Sequence, residues 1–396
     1  MLTPWASLLL VYSWLCFEWT QARQILVFGG NGFMGADTVE RFLKHEDRVT
    51  IVNRGNWYWD SKSRILPNVK HISCDRKKKL RSSCEPLLTY IEEVGQIDVV
   101  LDFSAYGAHE VNESTEALRG HVRGLYIQVS TDSVYDVSSK QHDGPSKETD
   151  AVRPASEEER ARLAEFDSYG HHKMNAEEAL MEQRMEGGLP FVLLRLPDVF
   201  GPRDSTNRFW IYILWTKLTS EMANFPVLIP HFLDDYPISF VFSPDVAQII
   251  FQLTQMGPQV NDQVVNLAYE ETVTLQQLLD DIKDALGVSG TPYISQDSTA
   301  SHHMYFYPSV RRGPVSVAKA QNLLNWKPTP WQEAVKNTVS FYEDAMTSQT
   351  FSKQRDDVIR VLANYVYASD KQNYYTALES IYNIDLSHLK NTKDEL

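Results

Sequence analysis

The stretch that decides the fold reads Ile25-Leu26-Val27-Phe28-Gly29-Gly30-Asn31-Gly32-Phe33-Met34-Gly35. It predicts a short apolar strand, a glycine-rich turn and then a helix, the arrangement that holds the pyrophosphate of a dinucleotide. Glycines let the backbone approach the phosphates, and the helix N-terminus supplies partial positive charge. Gly29, Gly32 and Gly35 stand at three-residue steps, one residue wider at the start than the common G-x-G-x-x-G. The alternative is a turn whose glycines serve only close packing.

Further apolar runs alternate with helical patterns along the first half of the chain. The predicted strands after the first are residues 49–52, 69–72, 97–101, 125–129 and 191–194. Strands that alternate with helices form a parallel sheet with right-handed crossovers. The predicted fold class is therefore α/β: a Rossmann doubly wound parallel sheet with a smaller C-terminal α/β substrate domain and a helical C-terminal extension.

The predicted domain boundaries follow these patterns. The Rossmann domain spans 23–196, with 240–267 returning to it, and the substrate-binding domain spans 197–345. A helical stripe within 355–367 places a helical extension at 346–392. The ends, residues 1–22 and 393–396, are predicted to be a signal peptide and a retention signal.

The two ends predict the compartment. Residues 5–17 are nearly all apolar, and small residues up to Ala22 suit cleavage by signal peptidase. The last four residues, Lys393-Asp394-Glu395-Leu396, form a signal that the KDEL receptor reads. We therefore expect a protein of the endoplasmic reticulum lumen with no integral membrane segment after cleavage. The net charge of −14 argues against a nucleic-acid partner.

Two features depend on that compartment. Cys74 and Cys84 remain after signal cleavage, and the sequence leaves open a disulfide or two free thiols. Asn112-Glu113-Ser114 is a glycosylation sequon, for which we favour a buried and unmodified Asn112.

The histidines are scattered without the spacing of metal ligands, so no metal site is predicted.

Candidate catalytic groups follow the fifth strand. Tyr169-Gly170-His171-His172-Lys173 puts a phenol and an ammonium on one face of a helix, and Lys173 is expected to lower the pKa of Tyr169. Ser130-Thr131 leaves the fifth strand at its carboxyl end, where ligands bind in an open α/β sheet. There the Thr131 hydroxyl can hold a substrate oxygen beside the phenol. The alternatives without a catalytic role are that Tyr169 and Lys173 lie on a solvated helix face and that Ser130-Thr131 begins a capped turn.

Together these patterns resemble the extended short-chain dehydrogenase/reductase family, which includes nucleotide-sugar epimerases and dehydratases. The resemblance spans residues 25–343 and includes Asp102-Phe103-Ser104-Ala105 and Leu194-Arg195-Leu196-Pro197-Asp198-Val199-Phe200-Gly201-Pro202. Residues 52–55 and 74–76 are most similar to the atypical branch that contains chloroplast stem-loop-binding proteins.

The resemblance implies a set of roles. Tyr169 would be the general acid/base, Lys173 would bind the nicotinamide ribose, and Thr131 would orient the reacting oxygen. Asp75 would contact the adenine amino group, and Pro197 would lie near the nicotinamide. The implied cofactor-binding residues are Gly29, Gly32, Phe33, Met34, Gly35, Asn53, Arg54, Asp75, Ser104, Ala105, Tyr169, Lys173 and Pro197.

The expected cofactor is NADP or NAD, and a charge argument favours NADP. A carboxylate at the end of the second strand repels a 2′-phosphate, whereas this chain has Asn53 and Arg54 there. The favoured substrate is a nucleotide sugar that is epimerised or oxidised and reduced. Ser133 replaces the glutamate of related dehydratases, which disfavours elimination of water.

Three points stay open in the sequence. A reductase or dehydrogenase of another small hydroxy or keto compound is one alternative function. A cofactor-binding scaffold or sensor without turnover is another. Family members often dimerise through the helices that contain the Tyr-Lys motif, so a homodimer is an expectation too.

Overall fold

The computed structural model describes residues 22–222, 225–296, 307 and 313–390. Its centre is a parallel seven-stranded sheet. All the strands of the described residues, including four outside this sheet, are in chain order β1 (Gln24–Phe28), β2 (Arg48–Asn53), β3 (Lys70–Ser73), β4 (Ile97–Asp102), β5 (Val122–Thr131), β6 (Phe191–Leu196), β7 (Asp198–Phe200), β8 (Val227–Pro230), β9 (Phe240–Phe242), β10 (Gln263–Asn266) and β11 (Tyr293–Gln296). The sheet has the order β10-β6-β5-β4-β1-β2-β3.

Strand β1 lies inside this sheet, between β2 and β4. Phe28 is in register with Val52 on one side and Asp102 on the other. After β3 the chain crosses back to the other side of β1, and ligands of open α/β sheets bind at such a switch point. Residues 25–28 are fully buried because helices cover both faces of the sheet, which is why the strand is a continuous apolar run.

Helices surround the sheet and form the C-terminal part of the chain. They are α1 (Phe33–Lys44), α2 (Ser61–Arg64), α3 (Leu80–Ser83), α4 (Glu85–Val94), α5 (Ala108–Ala117), α6 (Glu157–Phe166), α7 (Ser168–Met185), α8 (Arg208–Thr219), α9 (Ser243–Leu253), α10 (Leu275–Leu286), α11 (Ala318–Leu324), α12 (Trp331–Thr347), α13 (Ser352–Ala363), α14 (Lys371–Tyr382) and α15 (Ser387–Lys390). The parallel sheet with flanking helices confirms the predicted fold class.

The segment after β9 returns to the seven-stranded sheet. Helix α9 packs against α1, and β10 pairs in parallel with β6, with Val265 opposite Leu194. The short strands β7 and β9 pair with each other, with Val199 opposite Val241. These pairings connect the Rossmann sheet to the C-terminal part.

An aromatic core holds the C-terminal part together. Trp210 and Tyr342 are fully buried and stack with their ring centroids 5.0 Å apart. The helical extension packs on this core, and the Tyr374 hydroxyl donates to the Ile359 carbonyl at 2.8 Å. The predicted stripe on α13 is buried at Val358 and Leu362, while Val361 is 38% exposed.

The structure decides the pairing of the two cysteines and the exposure of Asn112. Cys74 and Cys84 form a disulfide, with their Cα atoms 5.8 Å apart, so the disulfide alternative holds. The expectation of a buried Asn112 is wrong, because Asn112 lies on the solvent side of α5 and is exposed. Ser114 and Val111, on the opposite side of that helix, are the residues that are fully buried.

The predicted signal peptide, except Ala22, and the predicted retention signal lie outside the described residues. Within the described ranges, no helix has the length and apolar character that crossing a membrane requires.

Candidate functional site

The glycine turn between β1 and α1 is tightly packed. A Cβ at Gly35 would lie 2.5 Å from the Gly29 carbonyl oxygen, a distance at which the backbone has to move. Gly29 has φ +85°, in the left-handed region that favours glycine. Helix α1 therefore begins close against the end of β1, with its free N–H groups at the opening of the turn.

A cleft of about 380 Å³ lies over this turn, at the carboxyl ends of β1 and β2. Most of the predicted cofactor-binding residues line it: Gly29, Gly32, Phe33, Met34, Gly35, Asn53, Arg54, Asp75 and Ser104. Ala105 does not, because it is buried beneath the cleft and its carbonyl accepts a hydrogen bond from Lys173 Nζ at 2.9 Å. We call this space the dinucleotide cleft.

The two polar atoms of the Asn53 side chain differ in their hydrogen bonding. Its Oδ1 accepts a hydrogen bond from the Gly55 backbone N–H at 2.6 Å and lies 3.0 Å from His71 Nε2. Its buried Nδ2 has no partner within the part of the chain that the structure describes. Arg54 is exposed at the edge of the cleft. A buried donor without a partner and an exposed cation are groups that a hydroxyl or phosphate can bind.

Arg76 lines the dinucleotide cleft and was not predicted from the sequence. Its buried guanidinium donates to Asp102 Oδ2 at 2.8 Å and to the Ser114 hydroxyl at 2.9 Å. Burial opposes the ionisation of Asp102, but the charge of Arg76 outweighs it and holds the pKa of that carboxyl below its usual range. Asp102 directly follows the predicted strand at residues 97–101, and a carboxylate at that position is a signal that could have indicated a buried cation nearby.

A second cavity, of about 360 Å³, adjoins the dinucleotide cleft. It brings together six of the predicted site residues: Phe33, Met34, Thr131, Tyr169, Lys173 and Pro197. Phe33, Met34 and Phe103 line both spaces, so the cleft and the cavity are continuous. We call the second space the reaction cavity.

Tyr169 and Lys173 do not interact as the sequence predicted. Lys173 Nζ donates to the carbonyls of Ala105 and Val129, and burial lowers the pKa of this lysine to about 8. Burial raises the pKa of Tyr169, and the nearby Thr131 hydroxyl opposes that effect. The expectation that Lys173 lowers the pKa of Tyr169 is therefore wrong, because the ammonium is directed towards backbone carbonyls and away from the phenol.

Two carboxyl groups of the reaction cavity were not predicted as site residues. Burial and the nearby Asp198 raise the pKa of Asp132 well above its usual range. Burial also raises the pKa of Asp198 to about 6, although Arg208 donates to it at 2.7 Å. A raised pKa favours the protonated form of a carboxyl group, which can donate a hydrogen bond to a substrate oxygen. Asp198 was visible in sequence within the motif that follows β6.

The sequence after β7 contains three arginines that could meet a substrate diphosphate: Arg203, Arg311 and Arg312. Arg203 forms two hydrogen bonds with Asp60, at 2.8 and 2.9 Å, and so is paired inside the protein. Arg311 and Arg312 lie outside the described residues. Among the residues with a described placement, no group of His, Cys, Asp and Glu side chains is arranged to hold a metal.

Comparison with known proteins identifies relatives along most of the chain. A 4,6-dehydratase of dTDP-D-glucose from Mus musculus is 23% identical over 81% of this chain and 89% of its own length. A trifunctional UDP-glucose 4,6-dehydratase, epimerase and reductase from Arabidopsis thaliana is 22% identical over 81% of this chain. The present chain spans about half, 47%, of that longer enzyme.

Solved structures show the same fold. The UDP-glucose 4-epimerase of Thermotoga maritima, solved with UDP-glucose, has a TM-score of 0.61 and 20% identity, and the match covers 82% of this chain and 99% of that one. The dTDP-glucose 4,6-dehydratase of Bacillus anthracis, in complex with NAD, has a TM-score of 0.60 and 18% identity, over 82% and 97% of the two chains. The sequence profile of one family matches residues 25–268, well over half of the chain. The protein therefore belongs to the NAD dependent epimerase/dehydratase family.

Proposed function

We propose that this protein is an NAD(P)-dependent oxidoreductase or epimerase that acts on a hydroxyl or keto group of a nucleotide sugar in the endoplasmic reticulum lumen. The observation that carries the proposal is the continuity of the dinucleotide cleft with the reaction cavity through Phe33, Met34 and Phe103. A cofactor bound over the glycine turn can thus extend to the phenol of Tyr169. Proximity of this kind is what hydride transfer requires.

The residues present fit a dinucleotide. The turn leaves no room for a Cβ at Gly35, and the buried Asn53 Nδ2 is a donor without a described partner. Gly32 and Phe33 would hold the pyrophosphate at the start of α1, and Asn53 would bind the adenosine ribose. When bound, the nicotinamide supplies a site that accepts or returns a hydride.

The chain's own residues would move the proton. Tyr169 would accept the proton of the reacting hydroxyl as the hydride leaves the same carbon, and would return it on reduction. Thr131 would bind the reacting oxygen beside the phenol, since Thr131 and Tyr169 both line the reaction cavity. Lys173 would keep a positive charge beneath the cavity, fixed by the carbonyls of Ala105 and Val129.

The substrate class rests on the relatives and on the cavity. The named relatives act on dTDP-D-glucose or UDP-glucose. Asp132, Asp198 and Arg208 line the reaction cavity with hydrogen-bonding groups that suit the hydroxyls of a sugar. Because Ser133 follows Asp132 where related dehydratases have a glutamate, we propose epimerisation or oxidoreduction in preference to elimination of water.

The compartment and the partners are part of the same proposal. The apolar N-terminal stretch and the Lys393-Asp394-Glu395-Leu396 end support a lumenal protein that the KDEL receptor retrieves. We also propose a homodimer through the helix α7 that carries Tyr169 and Lys173, together with the adjacent α5. Light scattering of the purified mature chain measures that assembly directly.

The second candidate is a scaffold or sensor that binds the cofactor without turnover. The raised pKa of Tyr169 and the engagement of Lys173 with backbone carbonyls favour it, because neither group is prepared for proton transfer before a ligand binds. The enzyme and the scaffold differ in their response to substitution of Tyr169, because only the enzyme needs the phenol for turnover.

The test uses the mature chain with NAD or NADP and UDP-glucose, and follows the sugar by NMR. Tyr169→Phe is expected to reduce turnover roughly 10²- to 10⁴-fold while cofactor affinity stays unchanged. Tyr106→Phe is the matched control, because that ring lies 5.8 Å from the ring of Tyr169 and outside the reaction cavity. Cofactor binding by the wild type without turnover of any nucleotide sugar tested would instead support the scaffold.

A further inference from the structure

A third cleft, of about 620 Å³, lies beside the dinucleotide cleft. One wall is the loop after β2 together with Lys62 of α2, and the other is the start of α13 in the helical extension. Tyr58 and Ser205 line both this cleft and the dinucleotide cleft, so the two spaces meet at these residues. We call it the extension cleft.

Two lysines make the extension cleft positive. Lys62 and Lys353 line it from opposite walls, and both are exposed. Neither has a carboxylate within ion-pair distance among the described residues. The carboxylate of Asp357, on the same wall as Lys353, is paired with Arg360 at 2.9 Å. Two like charges that face one space repel each other, and an anion between them removes that repulsion.

Two amide oxygens in the same cleft lack partners. Asn207 Oδ1 and Gln354 Oε1 are buried, and neither accepts a hydrogen bond within the described part of the chain. A buried acceptor without a donor costs free energy. A ligand with hydroxyl or N–H groups would supply those donors.

Aromatic rings complete the lining. Trp57 and Tyr58 both face the extension cleft, and Tyr58 is 44% exposed. Exposed aromatic faces bind sugar rings and nucleobases, and a lysine nearby binds a phosphate. We infer that the extension cleft binds a phosphate carried on a hydroxylated ring, such as a sugar phosphate or a nucleotide, separately from the cofactor and from the reaction cavity.

The inference does not require turnover. It assigns to the helical extension a binding function, because Lys353 and Gln354 at the start of α13 form one wall of the site. A ligand there would touch Tyr58, which also lies over Gly32 of the glycine turn. Occupation of the extension cleft is therefore expected to change cofactor affinity through Tyr58.

The experiment is calorimetry on the full mature chain with saturating NAD, which keeps the probes out of the dinucleotide cleft. The probes are ribose 5-phosphate, glucose 1-phosphate and inorganic phosphate. We expect a ring phosphate to bind more tightly than inorganic phosphate. Lys62→Glu/Lys353→Glu should weaken that binding roughly tenfold or more, because two attractive charges become repulsive.

Two further variants control the test. Lys327→Glu/Lys336→Glu makes the same change in net charge at exposed lysines outside the cleft and should leave binding unchanged. Lys62→Arg/Lys353→Arg keeps the charge and should keep binding, which separates loss of the site from loss of the fold. Flat titrations with all three probes, equal affinity for inorganic phosphate, or an affinity that the Glu substitutions do not change would each overturn the inference.

Discussion

The Lys173 ammonium donates to the Val129 carbonyl at 2.7 Å, so the lysine is fixed to the central sheet and not to the phenol one helical turn before it. The second bond, to the Ala105 carbonyl at 2.9 Å, connects the ends of two neighbouring strands beneath the reaction cavity. Backbone carbonyls satisfy the charge only in part, which is why burial still lowers the pKa of this lysine. The charge of Lys173 is thus sensitive to pH in the range where enzymes work.

We predict that cofactor affinity decreases as pH rises through about 8. The pKa of Lys173 is lowered from 10.5 to about 8, so the ammonium is present below that pH and is lost above it. Only the ammonium can donate to both carbonyls and to a ribose hydroxyl. Lys173→Met should bind the cofactor roughly tenfold more weakly at pH 7 and show no such pH dependence. Fluorescence titration of NADH from pH 6 to pH 9.5 measures the affinity and its pH dependence. Parallel pH profiles for the wild type and Lys173→Met would show that Lys173 is not the group that titrates.

Gly35→Ala is expected to disrupt the dinucleotide cleft. Its Cβ would lie 2.5 Å from the Gly29 carbonyl oxygen, so α1 has to move away from the end of β1. We expect a loss of about 1 to 3 kcal/mol in the free energy of unfolding, as for other overpacked sites, and loss of measurable NAD binding. Gly144→Ala is the control, since the nearest atom to its Cβ is a flexible histidine nitrogen at 3.5 Å. A Gly35→Ala protein with normal NAD affinity would show that this turn does not hold the cofactor.

Removal of the disulfide should weaken both stability and cofactor binding. Cys74 and Cys84 are 10 residues apart, and a loop of that size gives about 2 to 3 kcal/mol from the constraint on the unfolded chain. Cys74 also lines the dinucleotide cleft beside Asp75, so the adenine end should loosen. Urea unfolding of Cys74→Ser/Cys84→Ser measures the first effect and NAD titration the second. Reductant should destabilise the wild type and leave the double variant unchanged; the same response in both would contradict the role of the disulfide.

The choice between NADP and NAD is predicted to depend on Arg54. The end of β2 has Asn53 in place of a carboxylate, and Arg54 is exposed at the edge of the cleft. A 2′-phosphate there would gain a charge-assisted contact that salt and solvent weaken. Arg54→Ala should therefore lower NADP affinity roughly three- to tenfold and leave NAD affinity unchanged. Equal losses for the two cofactors would show that Arg54 does not bind the 2′-phosphate.

The sheet could be predicted from sequence because its strands are buried on both faces. The run at 25–28 is strand β1 and the run at 97–101 is strand β4, each within one residue of the observed bounds. Parallel strands of this kind are continuous apolar segments, and the glycines at 29–35 identify the crossover that follows the first. Local patterns are sufficient for these elements because each one is contained in a few neighbouring residues.

The features that were missed depend on residues far apart in the chain. Arg76 is buried because Asp102, from another strand, compensates its charge. Trp59, in the loop after β2, packs against the aromatic core of the C-terminal part, with its ring centroid 5.2 Å from that of Phe351. The direction of Lys173 likewise depends on carbonyls in β5 and after β4. No spacing within a helix or loop encodes such contacts.

The exposed Asn112 gives a test of the compartment. Its sequon reads Asn112-Glu113-Ser114, and its position on the solvent side of α5 leaves room for a glycan. If the chain enters the lumen, the full-length protein expressed in animal cells should carry a glycan that endoglycosidase H removes, since retained proteins keep high-mannose chains. Asn112→Gln should migrate like the deglycosylated protein and keep its cofactor affinity. Deletion of residues 393–396 should release the protein into the medium with a resistant glycan. A wild-type chain that carries no glycan and is digested by protease added to intact microsomes would exclude the lumenal location.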